Sequence, residues 1–357
     1  MELTTRIYLD WNATAPMDSA AADAMAEAAR VWANPSSVHA EGRRAKALLE
    51  DCRERIASAL GAFPQQVVFT SGGTEALGLA LNGAKAKRRL VLATEHAAVL
   101  AAVPDAAVVP VDADGRAVLP ALEAGDLLAV QHANNETGVV QPVAAIVEAV
   151  HAAGARVVCD AVQTAGKLPL PPADFVAVSA HKLGGPPGVG ALVVRCADDF
   201  AAVQKGGGQE RGLRGGTENL VGIAGFAAAL EARRVDTGWL DRAGKLRDDM
   251  EARLAALGAE IVAASALRLP TTTMIRMPGV PAATQLIRFD MAGIAVSSGS
   301  ACSSGKVGAS HVLAAMGIAR SAAAEVIRVS LGWTTTAADI DAFCAAWEAL
   351  AAARKAA

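Results

Sequence analysis

The chain has 357 residues and a formal net charge of −3, and 53% of its residues are hydrophobic but only 4% are aromatic. This length predicts two domains, and the scattered Lys and Arg residues argue against nucleic acid or a membrane surface as a partner. No apolar run is long enough to span a bilayer, and the first residues lack the pattern of a signal peptide, so we expect a soluble, cytoplasmic protein.

Helices are predicted first, at about residues 19–33 and 41–60, with the break NPSSVHAEG between them. Short apolar strands then alternate with helical stretches. Such runs, apolar throughout, are typical of a parallel or mostly parallel sheet covered by helices on both faces, which is an α/β fold. The strands are predicted at 66–70, 89–93, 106–111, 126–131, 155–160, 174–180 and 189–195.

The second half begins with a glycine-rich segment at 205–219, which alanine-rich helices follow to about residue 257. Strands near 259–263, 271–276 and 325–331 and helices near 283–291, 309–316 and 337–353 complete the chain. We therefore expect a large α/β domain over residues 14–245 and a smaller α+β domain built from 1–13 and 246–357.

Polar side chains stand at the carboxyl ends of the predicted strands, where ligands collect in such sheets. The strand at 66–70 leads into SGGTE, and the turn with Ser71 and Thr74 offers backbone N–H groups and hydroxyls to an anion, or is an ordinary helix cap. His96 and Asn135 follow the next strands, and a structural histidine and turn chemistry are the alternatives for them.

Two further residues need chemical partners. Asp160 closes an apolar strand, with Gln163 three residues on, and a buried carboxylate there needs a cation such as a protonated ring nitrogen, unless it is a helix cap. Lys182 follows the strand at 174–180, where burial would make it a carbonyl nucleophile unless it reaches solvent. Together with the anion turn and His96, these residues predict a pyridoxal phosphate site.

The cysteines number five, an odd count, and no CxxC pair occurs, so neither a disulfide framework nor a structural metal is expected. Cys52, Cys159 and Cys344 lie in apolar strand or helix patterns and are expected to be buried and inert. Cys302 differs, because its segment SSGSACSSG (297–305) contains only small and polar neighbours that cannot form a core.

The sequence resembles the cysteine desulfurases, the NifS/IscS-like branch of the class V aminotransferase-fold enzymes that use pyridoxal 5'-phosphate (fold type I). The resemblance covers about residues 7–335. The matching segments, which keep the family's order, are YLDWNATAP, NPSSVHAEGR, VVFTSGGTE, TEHAAVL, HANNETGVVQP, DAVQTAGK, SAHKLGGPPGVGAL, GGGQERGLRGGTEN, SSGSACSSG and IRVSLG.

The resemblance implies conversion of L-cysteine to L-alanine, with the sulfur passing to a Cys302 persulfide. It implies that Lys182 is the Schiff-base lysine and moves the α-proton, and that His96 stacks on the ring and carries a proton. It also implies that Arg328 and Asn34 clamp the substrate carboxylate. The remaining cofactor contacts implied are Asp160 at the ring nitrogen, Gln163 and Asn135 near the phenolic oxygen, and Gly73, Thr74, Ser179 and His181 at the phosphate.

Two kinds of partner are implied as well. Thr217 is expected to reach the phosphate of a neighbouring subunit, which implies a homodimer with shared sites. A sulfur acceptor such as an iron–sulfur scaffold would then receive the persulfide sulfur, for iron–sulfur cluster or thio-cofactor biosynthesis.

The chain departs from the family pattern at four places. Residues 76–78 are Ala-Leu-Gly where polar residues are usual, and Ala180 stands where Gly is common. Trp333 occupies a position that is often Arg, and KVGAS at 306–310 replaces a stretch that often contains Leu-Glu-Pro.

Other activities remain open on the same fold. A selenocysteine lyase and an aminotransferase are the alternatives, although an aminotransferase would have no use for Cys302. A non-enzymatic cofactor- or partner-binding protein is a third reading, and the presence of Lys182, Asp160, His96, Cys302 and Arg328 argues against it.

Overall fold

The computed structural model describes residues 6–236, 238–299 and 310–356. The strands are β1 Ile7–Tyr8, β2 Val67–Thr70, β3 Arg88–Leu92, β4 Ala107–Val109, β5 Asp126–Gln131, β6 Arg156–Asp160, β7 Phe175–Ser179, β8 Gly190–Val194, β9 Glu260–Ile261, β10 Thr272–Arg276, β11 Ile294–Ala295 and β12 Val326–Ser330. The helices are α1 Ser19–Ala28, α2 Ala40–Leu60, α3 Gly73–Gly83, α4 Ala97–Ala102, α5 Val143–Ala152, α6 Leu220–Val235, α7 Trp239–Ala256, α8 Ala282–Met291, α9 His311–Ala315, α10 Arg320–Ala323 and α11 Ala337–Ala356.

The central sheet has seven strands in the order β2-β8-β7-β6-β5-β3-β4. Only β8 runs antiparallel to its neighbours β2 and β7, and the other pairs are parallel. This confirms the mostly parallel sheet that the apolar runs predict. Since β2, β3, β5, β6 and β7 run in the same direction, their carboxyl ends meet at one edge of the sheet.

Helices cover the sheet on both faces, as strands that are apolar throughout require. Successive strand residues alternate between two buried clusters, so that Val157 and Cys159 face one cluster and Val158 faces the other. Helices α1, α2, α5 and α6 contribute to the first cluster, and α3 and α4 to the second. Cys159 is fully buried, as its strand pattern predicts.

A second assembly packs beside the large sheet. Its antiparallel sheet has the order β12-β10-β9, and helices α7, α8 and α11 share a buried cluster with it. Strand β1 pairs in parallel with β11, and Asp10 bridges to Ser330, so the beginning of the chain joins this assembly. Among the described residues, no helix combines the length and apolarity needed to cross a membrane.

Two details differ from the predicted elements. Helix α1 ends at Ala28 rather than near residue 33, because Asn34 accepts a hydrogen bond from the backbone N–H of Ser36 (2.9 Å) and Pro35 disfavours helical backbone before it. Strands β1 and β11 were not predicted from the sequence. Each has two residues, which is too short to show a period in the sequence.

Trp333, one of the departures from the family pattern, packs between the two assemblies. Its ring meets Trp11 edge-on at 4.6 Å between centroids, and the Arg233 guanidinium lies 3.5 Å over it. Arg233 is in turn paired with Asp18. A Cβ on Gly184 would lie 3.0 Å from the Trp333 ring. The Trp333 ring therefore packs closely against Gly184, which lies in the loop after β7, two residues after Lys182.

Candidate active site

A cavity of about 270 Å³ opens at the carboxyl edge of the central sheet. It brings together most of the side chains that the sequence singles out, from the ends of β2, β3, β5, β6 and β7. The sequence-predicted residues that line it are Gly73, Thr74, His96, Asn135, Asp160, Gln163, Ser179, His181, Lys182 and Arg328.

Lys182 reaches this cavity from a short 3₁₀ turn directly after β7. Its Nζ donates to the backbone carbonyl oxygens of Asn12 (2.6 Å) and Ala13 (2.7 Å). The segment that contains these carbonyls follows β1 and crosses the cavity. The amine is therefore held at a defined place in the cavity by backbone oxygens rather than released to bulk solvent.

Asp160 ends β6 and lies behind the cavity. Burial raises the pKa of its carboxyl group, while a hydrogen bond from the backbone N–H of Val162 (2.9 Å) and the charges of His96 and Lys182 act in the opposite direction. A cation placed against this carboxyl group would lower its pKa further. The site thus favours a ligand that brings a positive charge to Asp160, such as a protonated ring nitrogen.

Glu95 is a second buried carboxyl group, and the sequence analysis did not single it out. Burial, and then the charge of Asp160, raise the pKa of its carboxyl group well above the usual range. Its Oε1 accepts a hydrogen bond from the backbone N–H of Gln131 (2.7 Å), and its Oε2 has no hydrogen-bond partner in the described part of the chain. It was missed because its neighbour His96 gave the stronger chemical signal in TEHAAVL.

His96 is the N-cap of α4. Its Nδ1 accepts a hydrogen bond from the backbone N–H of Ala98 (3.1 Å), so the neutral ring carries its proton on Nε2. This fixes the tautomer and the orientation of the imidazole at the cavity wall. The arrangement suits a residue that gives or takes a proton at Nε2.

The turn between β2 and α3 forms the opposite end of the cavity. The backbone of Gly72 has a φ of +150°, and a Cβ on Gly73 would lie 2.7 Å from Cγ2 of Val162, so only glycine allows this close approach. Helix α3 has 11 residues, and its N-terminus offers N–H groups and a positive dipole next to Thr74 and Ser179. This end of the cavity is therefore suited to a phosphate group.

The amide of Gln163 provides a separate test of whether the cavity fits a polar ligand. Its Nε2 donates to the carbonyl oxygen of Asn12 (3.0 Å), while its Oε1 is buried and has no partner within the described ranges. The cavity thus holds an amine, a buried carboxyl group, an anion cradle and an amide oxygen that lacks a partner. These groups fit pyridoxal phosphate, whose aldehyde, ring nitrogen, phosphate and hydroxyl group they match in kind.

Arg328 lies on β12 and reaches the cavity from the second assembly. Its Nη1 donates to the carbonyl oxygen of Asn135 (2.9 Å), and its Nη2 pairs with Asp10 (2.5 Å). The residue is only 3% exposed. A guanidinium held in this way has a fixed orientation at the cavity wall, and its planar shape suits a carboxylate.

Two of the described sequence-predicted residues do not lie at the cavity. Asn34 and Thr217 are exposed and do not line it within this one chain. Cys302 lies outside the described residues. Five further lining residues were not predicted from the sequence, and most of them are small or apolar and carry no chemical signal of their own: Asn12, Ala13, Gln131, Ala133 and Val162.

The departure at residues 76–78 contributes an apolar wall. Ala76 and Leu77 are buried, and Leu77 lines the cavity directly. A Cβ on Gly78 would meet nothing within 4 Å. The chain therefore places an aliphatic side chain on the cavity wall at a position where the family resemblance leads one to expect a polar one.

His132, beside the cavity, makes the stability of the protein depend on pH. Burial lowers its pKa from 6.5 to about 4, and the ring contacts the Thr164 hydroxyl (3.0 Å). Between pH 6.5 and about 4 the unfolded chain binds a proton at this histidine that the folded chain does not, so stability falls as the pH drops through this window.

We expect this histidine to contribute a loss of about 1–2 kcal/mol between pH 7 and pH 5. Urea unfolding of the wild type and of His132→Gln at both pH values measures it, because the difference between their pH slopes isolates the histidine. Equal slopes in the two proteins would show that His132 titrates alike in the folded and unfolded states.

The comparisons with known proteins agree with this geometry. The family model for class V aminotransferases matches residues 7–343. The chain is 39% identical to a cysteine desulfurase of Cereibacter sphaeroides, over 94% of this chain and 93% of that one. It is 38% identical to an IscS-like cysteine desulfurase of Mycobacterium tuberculosis, with coverage of 94% and 93%. The structure of a NifS-like protein from Rickettsia africae aligns with a TM-score of 0.87 at 33% identity, over 97% of this chain and 99% of that one.

Proposed function

This chain belongs to the class V aminotransferase family, as a NifS/IscS-like cysteine desulfurase that uses pyridoxal 5'-phosphate, and we propose how its residues divide the reaction. L-cysteine is converted to L-alanine, and its sulfur passes to Cys302 for delivery to an acceptor. The observation that best supports these roles is the meeting of Lys182, Asp160 and Arg328 in one cavity.

Lys182 is proposed to hold the cofactor and to move the substrate's α-proton at its Nζ. When bound, the cofactor supplies the electron sink that makes this proton acidic and then weakens the Cβ–S bond of the substrate. The carboxyl group of Asp160 keeps a proton on the ring nitrogen. The carbonyl oxygens of Asn12 and Ala13, which accept from Nζ at 2.6 and 2.7 Å, keep the amine in the cavity when it is not bonded to the cofactor.

The other cofactor contacts follow from position in the cavity. Thr74, Gly73 and Ser179 surround the anion end at the N-terminus of α3, together with His181, and are proposed to bind the phosphate. Burial and the charge of Lys182 lower the pKa of His181 to about 4, so it binds there as a neutral hydrogen-bonding group. Gln163 and Asn135 are proposed to contact the phenolic oxygen, and His96 to cover the ring.

Arg328 is proposed to bind the substrate carboxylate, with help from Asn34. In the structure its guanidinium already pairs with Asp10 and donates to the Asn135 carbonyl. An entering carboxylate would therefore find the guanidinium oriented, and would share it with Asp10. Because Asn34 is exposed in the single chain, its contribution requires a neighbouring subunit or a rearranged segment.

The sulfur transfer is proposed to proceed by attack of the Cys302 thiolate on the substrate sulfur. The S–S bond forms as the Cβ–S bond breaks, and the electron pair of the broken bond stays with the carbon skeleton. Protonation of that carbon, for which His96 Nε2 is the proposed proton carrier, gives the methyl group of alanine. The product on the enzyme is a Cys302 persulfide, which passes its terminal sulfur to a thiol of the acceptor.

We further propose a cytoplasmic homodimer. Thr217 is exposed and lies at the end of the glycine-rich segment, which fits a contact with a partner subunit's phosphate site. Cys52, Cys159, Cys196 and Cys344 are free thiols, which fits a reducing compartment. The proposed acceptor is a protein such as an iron–sulfur scaffold.

The division into a large domain over residues 14–245 and a small one over 1–13 and 246–357 stays a proposal. It is supported by separate buried clusters around the seven-stranded and the three-stranded sheets. Trp239 and Ala243 of α7 belong to the cluster of the smaller sheet, so the first turns of this helix pack with the small domain.

The role of Cys302 is tested by Cys302→Ala. We expect alanine formation from L-cysteine to fall by about 100-fold or more, because the remaining groups bind substrate but no thiolate accepts its sulfur. The cofactor absorbance should be unchanged. Cys196→Ala is the control, since burial and Asp174 raise the pKa of that thiol to about 11 and it should leave turnover near wild type. Full desulfurase turnover in Cys302→Ala would refute the persulfide role.

A further inference from the structure

The HANNETG turn after β5 is held in place by hydrogen bonds of the Asn134 side chain. The Oδ1 of Asn134 accepts hydrogen bonds from the backbone N–H groups of Glu136 (2.9 Å) and Thr137 (2.8 Å). Its Nδ2 donates to the carbonyl oxygen of Thr94 (3.1 Å). Consecutive residues of this turn thus face different groups. Asn135 lines the cavity and accepts from Arg328, while Glu136 is 4% exposed and turns toward the second assembly.

The Glu136 carboxyl group contacts the chain directly after residues 300–309. The Ser310 hydroxyl donates to its Oε2 at 2.6 Å, and both residues are buried. The same hydroxyl oxygen accepts from the backbone N–H of Leu313 (3.1 Å) as the N-cap of α9. Ser310 is therefore fixed on one side by its own helix and on the other by Glu136.

The same oxygen also contacts the chain directly before residues 300–309. Gly299 has a φ of +78°, and a Cβ there would lie 3.1 Å from Glu136 Oε2 and 2.8 Å from Met274 Cε. The backbone at 299 thus lies against the carboxyl group with no room for a side chain. Two residues earlier, the backbone N–H of Ser297 donates to the carbonyl oxygen of Arg328 (3.1 Å). The backbone N–H of Arg328 donates in turn to the carbonyl oxygen of Ser297 (2.6 Å).

We propose that Glu136 is a positioning residue that anchors both ends of the segment carrying Cys302 to the wall of the cofactor cavity. The inference rests on the proposed role of Cys302 in sulfur transfer. One carboxyl oxygen meets the chain on both sides of that segment, and the adjacent residue Asn135 meets Arg328. The two ends of the segment are thereby held in a fixed position relative to Arg328, the residue proposed to bind the substrate carboxylate.

Ser310 ends the KVGAS stretch, where this chain departs from its family. A hydroxyl at this position supplies the donor that the Glu136 carboxyl group needs. An ordinary buried pair that only stabilises α9 would explain the Ser310 contact. It would not explain why the close packing of Gly299 falls on the same Oε2 atom.

The test compares holoenzymes carrying Glu136→Ala, Glu136→Gln and Ser265→Ala. In Glu136→Ala we expect single-turnover formation of the Cys302 persulfide, measured by mass spectrometry, to slow by about 10- to 100-fold, as misplacement of a reacting group does. Hydrogen exchange in peptides covering 310–316 should quicken by about fivefold or more. The absorbance change of the cofactor on adding L-alanine should stay within about twofold in affinity, because Lys182 and Arg328 are untouched.

Two further variants separate positioning from general damage. Glu136→Gln keeps an oxygen that accepts from Ser310, so its persulfide rate should return to within about threefold of wild type. Ser265→Ala is the matched control, because Ser265 donates to the exposed Asp114 carboxylate at the same 2.6 Å and should change none of the measurements.

The proposal is overturned if Glu136→Ala leaves persulfide formation and exchange at 310–316 at wild-type values, or if it weakens L-alanine binding as much as it slows sulfur transfer. A wild-type enzyme that forms no Cys302 persulfide would refute the proposed function instead. Faster exchange at 310–316 in Glu136→Ala would, even then, support the anchoring role.

Discussion

Replacing Lys182 by alanine is expected to abolish L-cysteine turnover, with a loss of about 10⁴-fold or more. Lys182 is proposed both to bond the cofactor and to move the α-proton, and among the described residues that line the cavity it is the one lysine. The variant should also lack the cofactor absorbance that depends on a covalent bond to Nζ. Absorbance spectra and alanine production measured on the same preparation test both effects.

Two controls separate covalent chemistry from charge. Lys182→Arg keeps a cation that can donate to the carbonyl oxygens of Asn12 and Ala13, yet a guanidinium does not bond an aldehyde as an amine does, so it should be as inactive as the alanine variant. Lys167→Ala removes a second lysine whose pKa burial and the charge of Lys182 lower to about 8, and it should keep the absorbance. Cofactor colour in Lys182→Ala that resists dialysis and denaturation would contradict the assignment.

The central sheet could be predicted because each of its strands is short, apolar and followed by a polar or glycine-rich turn. Strand β6 illustrates this, since Val157, Val158 and Cys159 are all buried and the next residue, Asp160, is the one that reaches the cavity. A parallel sheet places all such next residues at one edge. That single rule predicts from the sequence alone that Lys182, Asp160, His96 and Thr74 lie together.

What could not be predicted depends on contacts between distant parts of the chain. Asn12 lines the cavity because the segment after β1 crosses it, and no local sequence pattern predicts such a crossing. The pKa of Glu95 is raised by burial and by the charge of Asp160, and both causes exist only in the folded chain. Glu136 belongs to a motif that turn chemistry alone explains, and its contacts with Gly299 and Ser310 join residues more than 150 positions apart in sequence.

The residues that are hardest to predict are those whose role depends on a second chain. Asn34 and Thr217 were placed at the site by resemblance alone, and the single chain leaves both exposed. An exposed polar residue carries no signature of the partner that it meets. These two assignments therefore depend on the proposed homodimer, whereas those of Lys182 and Asp160 are supported by the cavity itself.

The second large effect is expected from Asp160→Asn, with a fall in turnover of about 10²- to 10³-fold. Asparagine has nearly the same shape and can still accept from the Val162 N–H, but it cannot balance the charge of a protonated ring nitrogen. Because Lys182 remains, the cofactor should still be bound covalently, so its absorbance should persist while alanine production falls. This combination distinguishes Asp160 from a residue that only helps the protein fold.

Asp126→Asn is the matched control for this experiment. Asp126 begins β5 at the opposite edge of the same sheet, where it pairs with Arg88 at 2.6 Å and lies far from the cavity lining. Its loss should lower stability slightly and leave turnover near wild type, since the pair is partly exposed on the Arg88 side. If Asp160→Asn turned over L-cysteine like Asp126→Asn, the buried carboxyl group would not be the partner of the ring nitrogen.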